Sequence, residues 1–287
     1  MGIAFVFPGQ GSQFVGMGKD LYESDERARR LMEQANEILG YDVLKIMFEG
    51  DEETLKQTRH TQPAIFLHSI ASLQGIDESP DAVAGHSLGE FSALVAAGVL
   101  PFEDGLRLVQ IRAEAMDEAC QMAPTTMAAI IGLEDEAVEE ICDIASKEVG
   151  ETVVPANYNA PGQLVISGHV KAVEKAVELA KEQGARKAVV LAVSGAFHSP
   201  FMEPARQKLA SAIEKLTFNK PKVPVYQNVT AQPETDPDRI KENLIIQLTN
   251  PVRWKQTILN MKSNGIDEFR EVGPGKVLTG LIRRILR

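Results

Sequence analysis

Cysteine is scarce: Cys120 and Cys142 are the whole complement of a 287-residue chain. They have no metal-ligand spacing and no secretory context, so they are expected to be reduced, mostly buried thiols. Neither lies in a stretch that suggests a reactive thiolate. Long apolar runs are missing, and none approaches the roughly 20 residues a membrane-spanning helix needs. Met1-Gly2-Ile3-Ala4-Phe5-Val6 lacks the basic start of a signal peptide and the Ser or Thr that myristoylation wants at position 6. A cytoplasmic, unanchored protein with no membrane contact is expected. Positive charge is in deficit: 30 Lys and Arg face 40 Asp and Glu, a net charge of −10. Phosphates need a basic stripe, so a nucleic-acid surface is excluded. Internal repeats, low-complexity tracts and long linkers are also absent. The remainder, 44% hydrophobic and 24% charged, suits one large α/β domain or a domain carrying a smaller insertion.

Against that background Gly85-His86-Ser87-Leu88-Gly89 stands out as G-x-S-x-G. Asp81 to Ala84 can form a short buried strand before it. Leu88 to Ala97 has helical apolar spacing after it, with Leu88, Phe91, Leu94 and Val95 on one side and Gly98 as a stop. A strand, a sharp turn and a helix would hold Ser87 in a strained conformation with Oγ exposed above a sheet. The glycines leave room where a Cβ would collide.

The apolar run Ile3–Phe7, ended by Pro8-Gly9, predicts a buried parallel strand. Gly9-Gln10-Gly11-Ser12-Gln13 follows, but Phe14 replaces the third glycine of a dinucleotide fingerprint. Helices are expected over 25–39, 51–57, from Thr61-Gln62-Pro63 to Leu73 with the proline early, and over 103–121. Between about Pro124 and Val193 the pattern becomes βαββαβ: strands over 126–133, 152–158, 163–167 and 186–193, helices over 134–149 and 169–183. That order is the split, ferredoxin-like arrangement. It divides the chain into a large domain, 1–123 with 194–287, and an inserted small domain, 124–193. Beyond it, helices are expected over 201–216, 236–248, 250–264 and 276–287, and strands over 223–229 and 267–272.

Ser87 needs a base. His86 is adjacent and should point away, and His68 sits in an apolar helical stretch as a core residue. His60 and His169 have polar, surface-like surroundings. His198 lies in a loop directly after a strand, where α/β folds present functional groups. It is either the base for Ser87 or a cap for the next helix. No acid between Ser87 and His198 stands out as a third triad member. Arg112 falls on the apolar face of its helix with Leu108, Val109, Ala113 and Met116. A guanidinium there needs a partner, either a protein carboxylate or a substrate carboxylate held bidentately.

The chain resembles the malonyl-CoA:acyl carrier protein transacylase family. The resemblance rests on Phe7 to Gln13, Thr61-Gln62-Pro63-Ala64, Gly85 to Glu90, Arg112, Asn159 to Gln163, Gly195 to Ser199, Asn250 to Trp254 and Gly273-Pro274-Gly275. These occur in family order over essentially the whole chain. The resemblance implies an α/β-hydrolase-like large domain with a parallel sheet, and a ping-pong reaction without metal or cofactor. Ser87 would carry the malonyl ester and His198 would move the proton. Backbone N–H groups of Gln10 and Leu88 would hold the oxyanion, and Arg112 would take the malonyl carboxylate. Gln62 would stand near that site, while Asn159 and Gln163 would reach the cleft from the small domain. A carbonyl around Asn250 would orient His198, and Phe197 would crowd any branch at C2 of the acyl group. The implied partners are malonyl-CoA and the phosphopantetheine arm of acyl carrier protein, met by a monomer working in fatty acid synthesis. An acidic carrier would need a basic patch, for which Arg186, Lys187, Arg253, Lys255 and Lys276 are candidates. A free-standing acyltransferase of polyketide synthesis, a serine thioesterase or esterase, and a non-catalytic carrier-docking module are the competing readings.

Overall fold

The computed structural model describes residues 2–287. It contains strands β1 (Gly2–Phe7), β2 (Ala82–Gly85), β3 (Thr125–Ile131), β4 (Val153–Ala160), β5 (Gln163–His169), β6 (Lys187–Val190), β7 (Val225–Tyr226), β8 (Pro233–Glu234) and β9 (Ile266–Glu271). They separate into two sheets, ordered β8-β7-β2-β1-β9 and β4-β5-β3-β6. The fold is α/β.

The first sheet is parallel except for β8. From Ile3 to Phe7, β1 is buried, as is all of β2. Apolar strands of this kind require cover on both faces. One face packs into a large core that includes Phe7, Phe66, Phe91 and Leu94. The other packs against Trp254, Ile258, Met261, Leu278 and Ile282. Each such side chain, fully buried, contributes about 1.5–3 kcal/mol. The helix Gly89–Ala96 has its first six residues buried, so it runs through the interior rather than over the surface.

All neighbours in the second sheet are antiparallel. Helices Asp135–Val149 and Val170–Glu182 pack on it around a separate core with Ile141, Ile166 and Val173. A backbone link ties β4 of the second sheet to the segment before Trp254: Val252 N donates to Ala156 O at 2.8 Å, and Tyr158 N to Val252 O at 2.9 Å.

Several elements depart from the sequence expectation. Pro63 lies inside the helix Thr58–Leu73, because the helix begins three residues earlier, where Gln57 O accepts from His60 N and Thr61 N. Short helices Lys19–Ser24 and Val43–Glu49 were not expected. The segment 223–229 yields only the two-residue strand β7, since the next two side chains, Gln227 and Asn228, turn inward to hydrogen-bond. The expected helix over 236–248 ends at Ile246 and gives way to a 3-10 turn, Gln247–Thr249.

Candidate active site

The elbow forms at the carboxyl end of β2. Ser87 has φ 52°, a left-handed backbone costly for a residue with a Cβ. Its two glycines interlock: a Cβ on Gly85 would lie 1.9 Å from Gly89 C, and one on Gly89 would lie 2.0 Å from Phe7 O. No larger residue fits either position. Only Ser87, His198 and Ala231 have positive φ among the described non-glycine residues. Two of the three meet at one hydrogen bond, as expected where strain is kept for function.

That bond runs from Ser87 Oγ to His198 Nε2, 2.7 Å apart. The other ring nitrogen, Nδ1, lies 3.0 Å from Gln247 O and 3.2 Å from Asn250 O. Both are acceptors, so Nδ1 carries the proton and Nε2 offers a lone pair. The 3-10 turn is what brings both carbonyls to the ring. Burial, then the nearby Arg112 charge, pushes the His198 pKa down to about 3, so the ring is neutral at pH 7 and able to accept a proton.

Arg112 is 1% exposed, on the inner face of helix Phe102–Cys120. Its Nη1 donates to Gln62 Oε1 at 2.8 Å, and its Nη2 to Ser87 Oγ and Gln247 Oε1, both at 3.0 Å. The guanidinium also lies over the Phe91 ring, 5.4 Å from its centroid. Its Nε–H is buried without a partner among the described residues. Nε and Nη2 form one edge of the fork that grips a carboxylate, so an orphaned donor sits on the edge that touches Ser87. Burial lowers the Arg112 pKa to about 9, opposed by the charge of Glu90. Glu90 is itself fully buried, and burial pushes its carboxyl up to about 7.

Ser87, His198 and Arg112 line a cavity of about 190 Å³ with Gln10, Asn159 and Phe197. Gln10 is delivered by a close approach: a Cβ on Gly9 would lie 2.5 Å from His86 O and 3.7 Å from Leu88 N. A wider groove of about 620 Å³ adjoins this cavity, sharing Gln10, Leu191 and Val193 with it. His86 directs Nε2 at Asn159 Oδ1, 2.8 Å away, rather than at Ser87 Oγ.

Gln163 is not brought to this cavity. It sits at the hairpin end of β5, where its Oε1 accepts from Arg284. Lys255 pairs with Asp135 and is mostly covered, which removes it from an exposed basic patch. Arg186, Lys187 and Lys276 are exposed, and Arg253 packs over Tyr158. His68 is buried beside Ser72, with its pKa lowered by burial to about 4. His60 is half-buried against Thr54 O, and His169 caps the helix Val170–Glu182. Burial raises the thiol pKa of both cysteines.

Sequence reasoning missed Glu90, Asn228 and Gln247. The polar pair Gln227-Asn228 at the end of an apolar strand was a usable signal, because strand ends in α/β sheets face ligands. Gln247 had none, being one amide among several on a helix end.

Residues 4–287 match the acyl transferase domain family. The malonyl CoA-acyl carrier protein transacylase of Bacillus subtilis is 49% identical over 288 residues, covering 99% of this chain and 90% of that protein. The protein of the same name from Escherichia coli K12 is 46% identical, with 99% and 92% covered. Among solved structures, the malonyl CoA-acyl carrier protein transacylase of Coxiella burnetii superposes with a TM-score of 0.95 at 42% identity, covering 99% and 91% of the two chains. A malonyl-transacylase solved in complex with a type II PKS acyl-carrier protein also superposes at 0.95, with 41% identity and 100% and 93% covered.

Proposed function

The chain belongs to the acyl transferase domain family, and from that membership we propose that it moves malonyl groups from malonyl-CoA to the phosphopantetheine thiol of acyl carrier protein, in fatty acid synthesis. The observation that carries the reading is the Arg112 edge, with Nη2 3.0 Å from Ser87 Oγ and an unpartnered Nε–H. An esterase has no use for a buried cation there, whereas a malonyl ester on Ser87 carries a carboxylate within its reach.

In the first half-reaction Ser87 Oγ attacks the thioester carbonyl while His198 Nε2 takes its proton. The developing oxyanion is held by the backbone N–H groups of Leu88 and Gln10. The C–S bond breaks, the proton passes from His198 to the departing sulfur, and coenzyme A leaves. In the second half the carrier thiol loses its proton to His198 and attacks the malonyl ester. The ester C–O bond then breaks and Ser87 Oγ is reprotonated. Gln247 O and Asn250 O keep the proton on Nδ1 throughout. Main-chain acceptors do this without placing a negative charge beside the malonyl carboxylate. Gln62 fixes the far side of Arg112, Asn159 lines the approach of the thioester, and Phe197 walls the space around C2. The two unpaired thiols fit a reducing cytoplasm.

The test is transfer itself. Incubated with malonyl-CoA, the enzyme should add malonyl to carrier protein bearing phosphopantetheine and leave the unmodified carrier unchanged, as read by carrier mass. Release of free malonate at the rate of thioester consumption, with no carrier product, would mark a hydrolase and defeat the proposal.

A further inference from the structure

The catalytic groups named so far do not explain what keeps Ser87 in a left-handed backbone. Such strain is costly and persists only where surrounding groups over-determine it. One fully buried side chain touches the turn on both sides. Asn228 Nδ2 donates to Gly85 O at 2.6 Å, and Asn228 Oδ1 accepts from Ser87 N at 2.8 Å. A single planar amide therefore staples the peptide groups that flank His86. Asn228 Oδ1 also accepts from Gln247 Nε2 at 3.2 Å, and that Nε2 donates to Ser87 O at 3.0 Å. The staple is itself anchored. Asn228 N donates to Glu90 Oε2 at 2.7 Å, and Gln227 Nε2 donates to Glu90 Oε1 at 3.2 Å. Glu90 stands in the first turn of the helix that leaves the elbow, so strand end, turn and helix are tied into one loop of hydrogen bonds.

We infer that Asn228, anchored by Glu90, is a positioning residue for acyl transfer, holding the Ser87 backbone so that Oγ aims at His198 and the Leu88 N–H aims at the oxyanion. The inference rests on Ser87 being the acyl acceptor, as proposed above. The chemistry of the position selects asparagine. It needs one donor and one acceptor at the fixed spacing of an amide. Serine is too short to span both peptide groups. An ionised aspartate has no donor for Gly85 O and would bury a second carboxylate beside Glu90.

The experiment compares Asn228→Ala and Asn228→Asp with the wild-type chain by three readings: the rate at which a fluorophosphonate labels Ser87, steady-state malonyl transfer, and the urea midpoint. Fluorophosphonate labelling reads the elbow without malonyl-CoA, so a wrong substrate assignment leaves the variant-to-wild-type ratio untouched. In both variants labelling and kcat should fall about 100-fold, the loss expected from displacing a reacting group by about 1 Å. KM for malonyl-CoA should stay within about threefold, since Arg112 and the cavity walls remain. The Asn228→Asp variant adds a reading that a merely structural role would not move. Once protonated, its carboxyl donates to Gly85 O and accepts from Ser87 N, restoring the staple. Its labelling rate relative to wild type should therefore climb as pH falls from about 8 to about 6, because burial and Glu90 raise its pKa. The other titratable or charged groups facing this position, Glu90, His86, His198 and Arg112, are common to both chains, so the ratio removes their own pH dependence and leaves the titration of the new carboxyl coupled to Glu90. Labelling of Asn228→Ala within about threefold of wild type overturns the inference. If that variant does not fold, an Asn228→Asp rate that is wild-type-like, or slow and flat across the pH range, overturns it equally.

Discussion

Replacing Arg112 by alanine separates the carboxylate clamp from the rest of the chemistry. The guanidinium offers Nε–H and Nη2–H along the edge beside Ser87. Two charge-assisted hydrogen bonds to a malonyl carboxylate are worth about 1.5–3 kcal/mol each. Losing both removes about 3–6 kcal/mol, or about 10²–10⁴ in kcat/KM for malonyl-CoA. Acetyl-CoA presents no carboxylate, so its kcat/KM should hold or rise in the variant. The ratio of the two substrates, measured by carrier acylation on the same preparation, cancels any loss of folded protein. Some loss is expected. Gln62 Oε1 and Gln247 Oε1 lose their donor, at about 1–3 kcal/mol for each acceptor left unsatisfied, and a urea titration should show it. Arg112→Lys should recover little, because an ammonium cannot make the forked contact. An equal fall for malonyl-CoA and acetyl-CoA in Arg112→Ala would refute the clamp.

Three further outcomes follow from the same geometry. Phe197 walls the cavity at 7% exposure, so Phe197→Ser should lower the malonyl-over-methylmalonyl ratio of kcat/KM by about tenfold or more, the worth of one methyl group; an unchanged ratio would reduce Phe197 to packing. The folded His198 pKa lies below its unfolded value, so the unfolded chain takes the proton first. Its contribution to stability is present above about pH 6.5 and is lost as pH falls from there toward about 3. The same shift keeps the base neutral, so His198 should add no acid limb near pH 6.5 to kcat/KM for malonyl-CoA; because burial pushes Glu90 up to about 7, the profile is read in Glu90→Gln as well, and a limb near pH 6.5 that persists there would contradict the assignment. Gly9→Ala sets a Cβ against His86 O, which should push the Gln10 loop off the elbow, cut kcat about 10²-fold and lower the urea midpoint through overpacking; a full-rate variant would remove Gln10 from the oxyanion site.

What could be read in advance depended on how local the signal was. The elbow is written in five consecutive residues, and its glycines can be inferred from sterics alone. The βαββαβ order is legible because each element carries its own periodicity. Arg112 was visible as a charge in the wrong place on a helix, although only the fold shows that its edge meets Ser87. Asn228 and Gln247 reach Ser87 across 141 and 160 residues, and the network they form with Glu90 is visible only once the chain is folded, although the polar pair at the end of the β7 strand hinted at Asn228. Gln163 was misjudged for the opposite reason: its neighbours in sequence reach the cleft, but its place at the hairpin end turns it toward Arg284. The short β7 follows from the same physics, since side chains recruited to the elbow network cannot continue a regular strand.

The central claim is that Ser87 carries the acyl group between two thiols. Intact mass of the chain after brief exposure to malonyl-CoA, with no carrier present, tests it directly. The account predicts a single malonyl adduct that maps to Ser87, is absent from Ser87→Ala, and disappears when carrier protein bearing phosphopantetheine is added. No adduct on the wild-type chain, or an adduct of equal size that persists in Ser87→Ala, would contradict it.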